Sequence, residues 1–311
     1  MGTKRKWTEA DVPDQSGRTA VVTGASSGLG FETATALARR GAHVVLAVRD
    51  LDRGATAAAR ITAAVPTAQL TVQLLDLSSL ASVRDAAKEL HDRCDRIDLL
   101  INNAGVMWTD EVRTPEGHEL QFATNHLGHF ALTGLLLDLL GAAPGARVVT
   151  VSSYLHRLGR IDFDDLNAER RYDRYRAYAQ SKLANLMFAL ELQRRFDETS
   201  AGILSVAAHP GLAGTGLGRD FPAVLRFFAP AFAPLFLQPA KSGMLPTLRA
   251  ATDPGVRGGE FYGPLGITET RGAPGPVRAG RSARDPEVHR RLWHASEHLT
   301  DVVHPLRNAR P

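Results

Sequence analysis

What most constrains this chain is the order in which it alternates two hydrophobic periodicities. Short apolar, largely β-branched runs at residues 18–23, 43–48, 69–75, 98–101, 147–151 and 203–208 are separated by segments with helical spacing. Helices are read at 31–40, with Gly41 in the position of a C-terminal cap, and at 52–64, 79–93, 116–140 and 177–196. This alternation predicts a Rossmann-type α/β fold, a doubly wound parallel sheet inside a three-layer αβα sandwich. Right-handed crossovers then place every strand's carboxyl end on one edge, where ligands of such sheets bind.

Length and composition narrow the organisation. The 311 residues are 44% hydrophobic and 23% charged, a globular balance that excludes a disordered chain. Length alone allows about two domains. No repeat or linker divides the chain, however, and the Pro/Gly-rich stretch 263–280 leaves only roughly thirty residues beyond it, too few for a domain. Asp285-Pro286 reads as an N-cap followed by proline at the first helical position, opening a terminal helix at about 286–300. The whole chain, 1–311, is therefore read as a single domain with a core at about 15–250.

The lone cysteine, Cys94, excludes an internal disulfide framework and any multi-cysteine metal site. It fits a reducing compartment, so a cytoplasmic location is expected. Lys4, Arg5 and Lys6 are followed by no apolar stretch, so no signal peptide is read, and no apolar run is long enough to span a bilayer. A net charge of +4 is compatible with a phosphorylated ligand, nucleic acid or an anionic membrane surface. No basic stripe interleaved with aromatics is present, so nucleic acid is not expected as a partner.

Between the first strand and first helix lies Thr23-Gly24-Ala25-Ser26-Ser27-Gly28-Leu29-Gly30. Glycines let the backbone approach a pyrophosphate closely, and the helix N-terminus offers unpaired N–H groups to phosphate oxygens. The spacing is Gly-x-x-x-Gly-x-Gly, and a tight turn without ligand is the other reading. At the end of the second strand, where a carboxylate would select NAD, stands Arg49, with Asp50 one step beyond. A guanidinium there suits a 2′-phosphate, so NADP(H) is favoured over NAD(H). The alternative is a surface pair between Arg49 and Asp50 or Asp52.

Of the five tyrosines, only Tyr178 has a lysine one helical turn later, Lys182. Tyr172 has Arg176 at that offset but precedes the apolar helix. Bringing a phenol from about pH 10 to neutrality needs about 4 kcal/mol. One positive charge at about 4 Å, with an effective dielectric of about 20, supplies that amount. An incidental helix pair is the bland alternative. His126 and His129 are tempting metal ligands, but no carboxylate or cysteine grouping completes a site, so no metal is expected.

These motifs, in this order, resemble the short-chain dehydrogenase/reductases over roughly residues 15–250. The resemblance rests on the Thr23–Gly30 turn, Asp76, Asn102-Asn103-Ala104-Gly105, Asn125, Ser152-Ser153, Tyr178-x-x-x-Lys182, and Pro210-Gly211 with Thr215. It implies Tyr178 as general acid in carbonyl reduction and base in alcohol oxidation, with Lys182 lowering its pKa and holding the nicotinamide ribose. It implies that Ser153, rather than Ser152, binds the substrate oxygen and that Asn125 holds a water linking Lys182 to solvent. Cofactor contacts are implied at Gly24, Ser26, Ser27, Gly28, Leu29, Gly30 and Arg49. Asp76, Leu77, Asn103, Ala104, Gly105, Tyr178, Lys182, Pro210, Gly211 and Thr215 complete that set.

Within the family, Asn125-His-Leu-Gly-His-Phe130, Ser181-Lys182-Leu-Ala-Asn185 and His209-Pro-Gly211 are similar to the retinol dehydrogenase and protochlorophyllide reductase branch. The 25-position separation of Ser153 and Tyr178 agrees, with Arg160–Leu166 read as an inserted loop. Phe221, Phe227, Phe228, Phe232 and Phe236 crowd a stretch that the family uses as a lid, here about 212–240. Their apolar character argues for a hydrophobic small-molecule substrate. A peripheral membrane contact or a homo-oligomer interface are the other uses for such a segment. The function expected is NADP(H)-dependent interconversion of a carbonyl and an alcohol. Reduction of a carbon–carbon double bond and a non-catalytic dinucleotide sensor are the alternatives.

Overall fold

A computed structural model describes residues 6–211, 239–266 and 268–306. Six strands form where the sequence places them: β1 Thr19–Thr23, β2 His43–Val48, β3 Gln69–Leu74, β4 Leu99–Asn102, β5 Arg147–Val151 and β6 Leu204–Ala208. All six run parallel. β1, β2, β4 and β5 are almost wholly buried, as a sheet covered by helices on both faces requires. The order is β3-β2-β1-β4-β5-β6-β7-β8. It reverses between β1 and β4, which opens a crevice at their carboxyl ends.

Two strands were not anticipated. β7, Phe261–Pro264, joins β6 in parallel, and β8, Pro274–Pro276, pairs antiparallel with β7. The stretch at 263–280, read from composition as the nearest thing to a linker, is thus the closing edge of the sheet. Proline lacks an N–H to donate, which confines it to edges, and β8 is an edge strand.

Helix α1, Gly28–Arg39, begins three residues before the position read from the sequence and takes Gly28, Leu29 and Gly30 of the glycine turn into its first turn. Helices α2, Leu51–Ala64, and α3, Leu80–Arg93, follow β2 and β3. The helix expected over 116–140 is not continuous. It starts after Glu119, whose carboxylate accepts the N–H groups of Gln121 and Phe122. From α4, Leu120–Phe122, it passes through a π-helical turn at Ala123–Leu127, continues as α5, Gly128–Leu135, breaks at Leu136 and ends with α6, Leu137–Gly141. At Gly128 a Cβ would run into the Leu77 carbonyl, so the helix lies too close to the cofactor-side loop for any larger residue.

After β5 the 26-residue helix α7, Arg174–Thr199, is capped by Asp173, which accepts from Tyr175 N and Arg176 N. The inserted loop is pinned to it by Gln180, which accepts from Asp162 N and donates to the Leu166 carbonyl. The terminal helix Pro286–Thr300 forms as expected, capped by Asp285. Its fully buried Trp293 packs edge-on against Phe130, ring centroids 5.0 Å apart, and stacks near Phe188 at 5.8 Å. The proposed lid lies outside the described residues for 212–238, including Thr215 and the five phenylalanines.

Candidate active site

The crevice at the strand reversal is a cleft of about 610 Å³. Twelve of the sequence-derived cofactor residues line it: Gly24, Ser26, Ser27, Gly28, Leu29, Gly30, Arg49, Asp76, Leu77, Asn103, Ala104 and Gly105. Gly24 adopts φ +68°, where only glycine is unstrained. At Gly30 a Cβ would lie 2.5 Å from the Gly24 carbonyl and 2.6 Å from Asn103 Nδ2, so the turn, the helix and the Asn103 side chain leave no room for one. The N-terminal N–H groups of a 12-residue helix thus face the cleft, the arrangement that receives phosphates.

At the far end of the cleft, Arg49 is exposed, and among the described residues no ion pair joins it to Asp50 or Asp52. Asp50 is occupied elsewhere, since its carboxylate accepts Arg53 N at 3.0 Å and caps α2. Arg53 lines the same cleft and escaped the sequence reading, although its place one helical turn after Arg49 was the available signal. Met107 and Thr109 also line it, on an irregular loop that carries no periodicity to read. Asp76 holds its loop by accepting Ser78 N at 2.9 Å and Ser78 Oγ at 2.6 Å. A cradle of close-packed glycines, free helix N–H groups and two terminal guanidinium groups fits a phosphorylated dinucleotide.

The chemistry-bearing residues gather where β5 meets α7. Tyr178 and Lys182 share one face of α7, with the ammonium over the phenol ring at 5.9 Å from its centre. Both are buried. The two serines that end β5 diverge: Ser152 donates to the Lys182 carbonyl at 2.7 Å, whereas Ser153 is turned to the Tyr178 phenol, whose ionised form its hydroxyl favours. Ser153 is itself held by the turn behind it, accepting Leu155 N at 3.2 Å, while its carbonyl accepts from His156 Nδ1 at 2.7 Å. His156 Nε2 in turn accepts Gly280 N at 3.0 Å, tying the serine loop to the C-terminal segment. That role for His156 left no sequence signal, because its partner is 124 residues away.

Asn125 sits on the π-helical turn, a device often found at functional sites. Its Oδ1 accepts Val106 N at 2.8 Å, and its Nδ2 donates to Val106 O and Ser181 Oγ, each at 2.9 Å. A Cβ at Gly105 would lie 3.0 Å from Asn125 Oδ1 and 3.1 Å from Lys182 Nζ, so the loop after β4, the π-turn and α7 converge there. Lys182 Nζ donates to the Val151 carbonyl at 3.2 Å.

Electrostatics correct one expectation. Lys182 was expected to lower the Tyr178 pKa, yet burial pushes the phenol up to about 12, and the Ser153 hydrogen bond offsets only part of this. Desolvation also pushes Lys182 down to about 8. In this pocket burial disfavours the charged form of both groups.

Pro210 and Gly211 leave the end of β6 away from the cleft lining. Gly211 has φ +69°, donates its N–H to His209 Nδ1 at 3.2 Å, and packs so that a Cβ would strike the Thr270 carbonyl. Tyr172, the competing tyrosine, precedes α7 and donates its hydroxyl to Thr109 O at 2.8 Å. His126 Nε2 donates to Ser296 Oγ at 2.8 Å inside the core. Among the described residues no three His, Cys, Asp or Glu side chains converge as metal ligands, and no helix is long and apolar enough to cross a membrane.

Residues 18–223 match the family described as short chain dehydrogenase. The chain belongs to that family. This short-chain dehydrogenase is 40% identical over 302 residues to human retinol dehydrogenase 13, covering 95% of this chain and 88% of the relative. It therefore falls in the retinol dehydrogenase-like branch and is an oxidoreductase acting on CH–OH groups. A crystal structure of an uncharacterized protein from Mycobacterium paratuberculosis superposes with a TM-score of 0.82 at 43% identity, covering 97% of this chain and all of that one. A Shigella flexneri short chain dehydrogenase complexed with NADP superposes at 0.62 with 26% identity, over 81% of this chain and 97% of the other.

Proposed function

We propose that this short-chain dehydrogenase interconverts a carbonyl and an alcohol on a hydrophobic small molecule, using NADP(H), with Tyr178 as general acid and base. The observation that carries the proposal is Ser153 turned to the Tyr178 phenol, which shares one face of α7 with Lys182. When bound, the nicotinamide cofactor supplies or accepts the hydride. The protein's part is to place the substrate oxygen and move one proton.

Ser153 orients that oxygen toward the Tyr178 phenol. A phenol held near 12 stays protonated at neutral pH and is ready to donate, which suits carbonyl reduction. Lys182, held near 8, is largely charged at neutral pH and favours the phenolate left after donation. Asn125 fixes the Val106 peptide beside Lys182, and water held there would return the proton from solvent. Gly24 to Gly30, Asp76, Asn103 and Gly105 would hold the cofactor, and Arg49 with Arg53 would receive the 2′-phosphate. Thr215 and the lid at about 212–240 belong to the same reading through the family resemblance.

Relatives named retinol dehydrogenases make an apolar aldehyde such as a retinoid the first substrate to try. The single domain and a cytoplasmic location complete the proposal, the latter resting on Cys94 as a lone thiol. The test is NADPH consumption with a panel of apolar aldehydes and ketones, with product analysis and Tyr178→Phe as control. Alcohol formation that is lost in Tyr178→Phe supports the assignment. Undiminished turnover in that variant defeats the mechanism, and a product saturated at a carbon–carbon double bond defeats the reaction class.

A further inference from the structure

His129 is fully buried beside the site, and the mechanism above makes no use of it. Its two ring nitrogens each have one partner: Nδ1 lies 2.9 Å from the Asn125 carbonyl and Nε2 lies 2.8 Å from Thr23 Oγ1. Proton accounting fixes the direction of both bonds. A carbonyl can only accept, so Nδ1 carries the proton. The Thr23 hydroxyl already accepts the N–H groups of Asn103 and Ala104, each at 2.9 Å, which uses its two lone pairs. Its own proton has two acceptors within reach, His129 Nε2 at 2.8 Å and the Ile101 carbonyl at 3.3 Å, and the shorter contact assigns it to Nε2, the unprotonated nitrogen. Burial keeps the ring in that neutral form by pushing His129 down to about 4, and the Lys182 charge acts in the same direction.

The consequence is a continuous tie between two halves of the site. Thr23 ends β1 and also accepts Asn103 Nδ2 on its backbone carbonyl at 2.8 Å, so it holds the Asn103-Ala104 peptides that floor the cleft. Asn125 stands on the π-turn next to Lys182. We propose that His129 is a positioning residue whose two hydrogen bonds set the cofactor floor through Thr23 and the Asn125 main chain through its carbonyl. Its turnover arm rests on the proposed carbonyl reduction, while its NADPH-binding arm stands apart from it.

The two bonds can be removed one at a time. His129→Asn keeps a donor near the position of Nδ1 and loses the acceptor toward Thr23. His129→Gln reaches Thr23 with an amide oxygen and loses the donor toward Asn125. His129→Leu loses both, and if it does not fold the other two variants still decide. NADPH affinity is read without substrate from cofactor fluorescence, turnover from aldehyde reduction, and folding from Tm. Losing a single hydrogen bond changes an equilibrium by about three- to tenfold. His129→Asn should weaken NADPH binding by that factor while kcat stays within about twofold, and His129→Gln should show the reverse. The same kcat and Kd pattern in both variants, or changes confined to Tm, overturns the proposal. Should the wild-type protein bind NADPH yet reduce no carbonyl, the functional reading falls, and the Asn/Gln contrast in NADPH affinity still decides the Thr23 arm.

Discussion

Ser152 donates its hydroxyl to the backbone carbonyl of Lys182 at 2.7 Å. That bond fastens the end of β5 to α7 and takes Ser152 out of the reaction space, leaving its neighbour Ser153 against the Tyr178 phenol. Adjacent serines on an extended strand end point to opposite sides, so one is structural and the other faces the site.

The two should therefore fail differently on substitution. Ser153→Ala is expected to lower kcat by about a hundredfold or more with little change in Tm, since it removes a hydrogen bond made to the reacting oxygen. Ser152→Ala is expected to cost about 1–2 kcal/mol of stability, because it leaves a buried carbonyl with one partner fewer, while kcat falls much less. Chemical denaturation and steady-state kinetics on both variants check this. Equal kinetic defects would contradict it.

On the proposed mechanism, Lys182 should set the pH range of reduction. Held near 8, its ammonium is charged below that pH and lost above it, while the phenol near 12 stays protonated throughout. The rate of carbonyl reduction should be level near neutrality and fall as pH rises through about 8. Lys182→Arg, which keeps its charge to far higher pH, should remove that fall even if its absolute rate is lower. A wild-type profile flat from pH 7 to pH 10 would argue against a role for the charge.

Cofactor choice should follow the two guanidinium groups at the cleft end. Arg49→Ala is expected to raise the NADPH dissociation constant by about ten- to a hundredfold and leave NADH within about threefold, as a charge-assisted contact to one phosphate predicts. Arg53→Ala should act in the same direction by a smaller factor. Titration of each variant with both cofactors is the measurement. Equal effects on the two would remove the 2′-phosphate from the assignment.

Acid should unfold the protein through its buried histidines. Burial lowers His126 and His304 to about 3 and His129 and His156 to about 4, against 6.5 for free histidine. Between about pH 6.5 and pH 4 the unfolded chain binds protons that the folded chain refuses, so stability drops as pH falls through that window. Each such group contributes a slope of at most about 1.4 kcal/mol per pH unit. Tm measured from pH 7 to pH 4 should decline steeply, and His304→Leu should lessen the slope by about one proton whatever its stability at neutral pH.

Much of the site was legible because its chemistry is local in sequence. The glycine turn lies within eight residues, Tyr178 and Lys182 are one helical turn apart, and Asn103 to Gly105 directly follow β4. Periodicity likewise located the six parallel strands, five of them buried almost throughout and the sixth, β3, at the sheet edge. It failed at β7 and β8, where glycine and proline carry the signature of a turn and pairing comes only from the neighbouring strand. It failed again at 116–140, where an apolar pattern cannot reveal a π-turn at Ala123–Leu127 or a break at Leu136.

The sequence by itself determined the order of strands and helices, the dinucleotide cradle and the tyrosine–lysine pair, because each depends on spacing along a few residues. Tertiary structure alone decided what surrounds them. Burial raises the Tyr178 pKa where a helix-spacing argument lowered it, since desolvation depends on every element packed around the phenol. Long-range contacts assign Ser152 to the scaffold, bring Gly280 to His156, and join His129 to Thr23. Hydrogen-bond partners 30 to 124 positions apart leave no periodic trace, and only the folded chain brings them together.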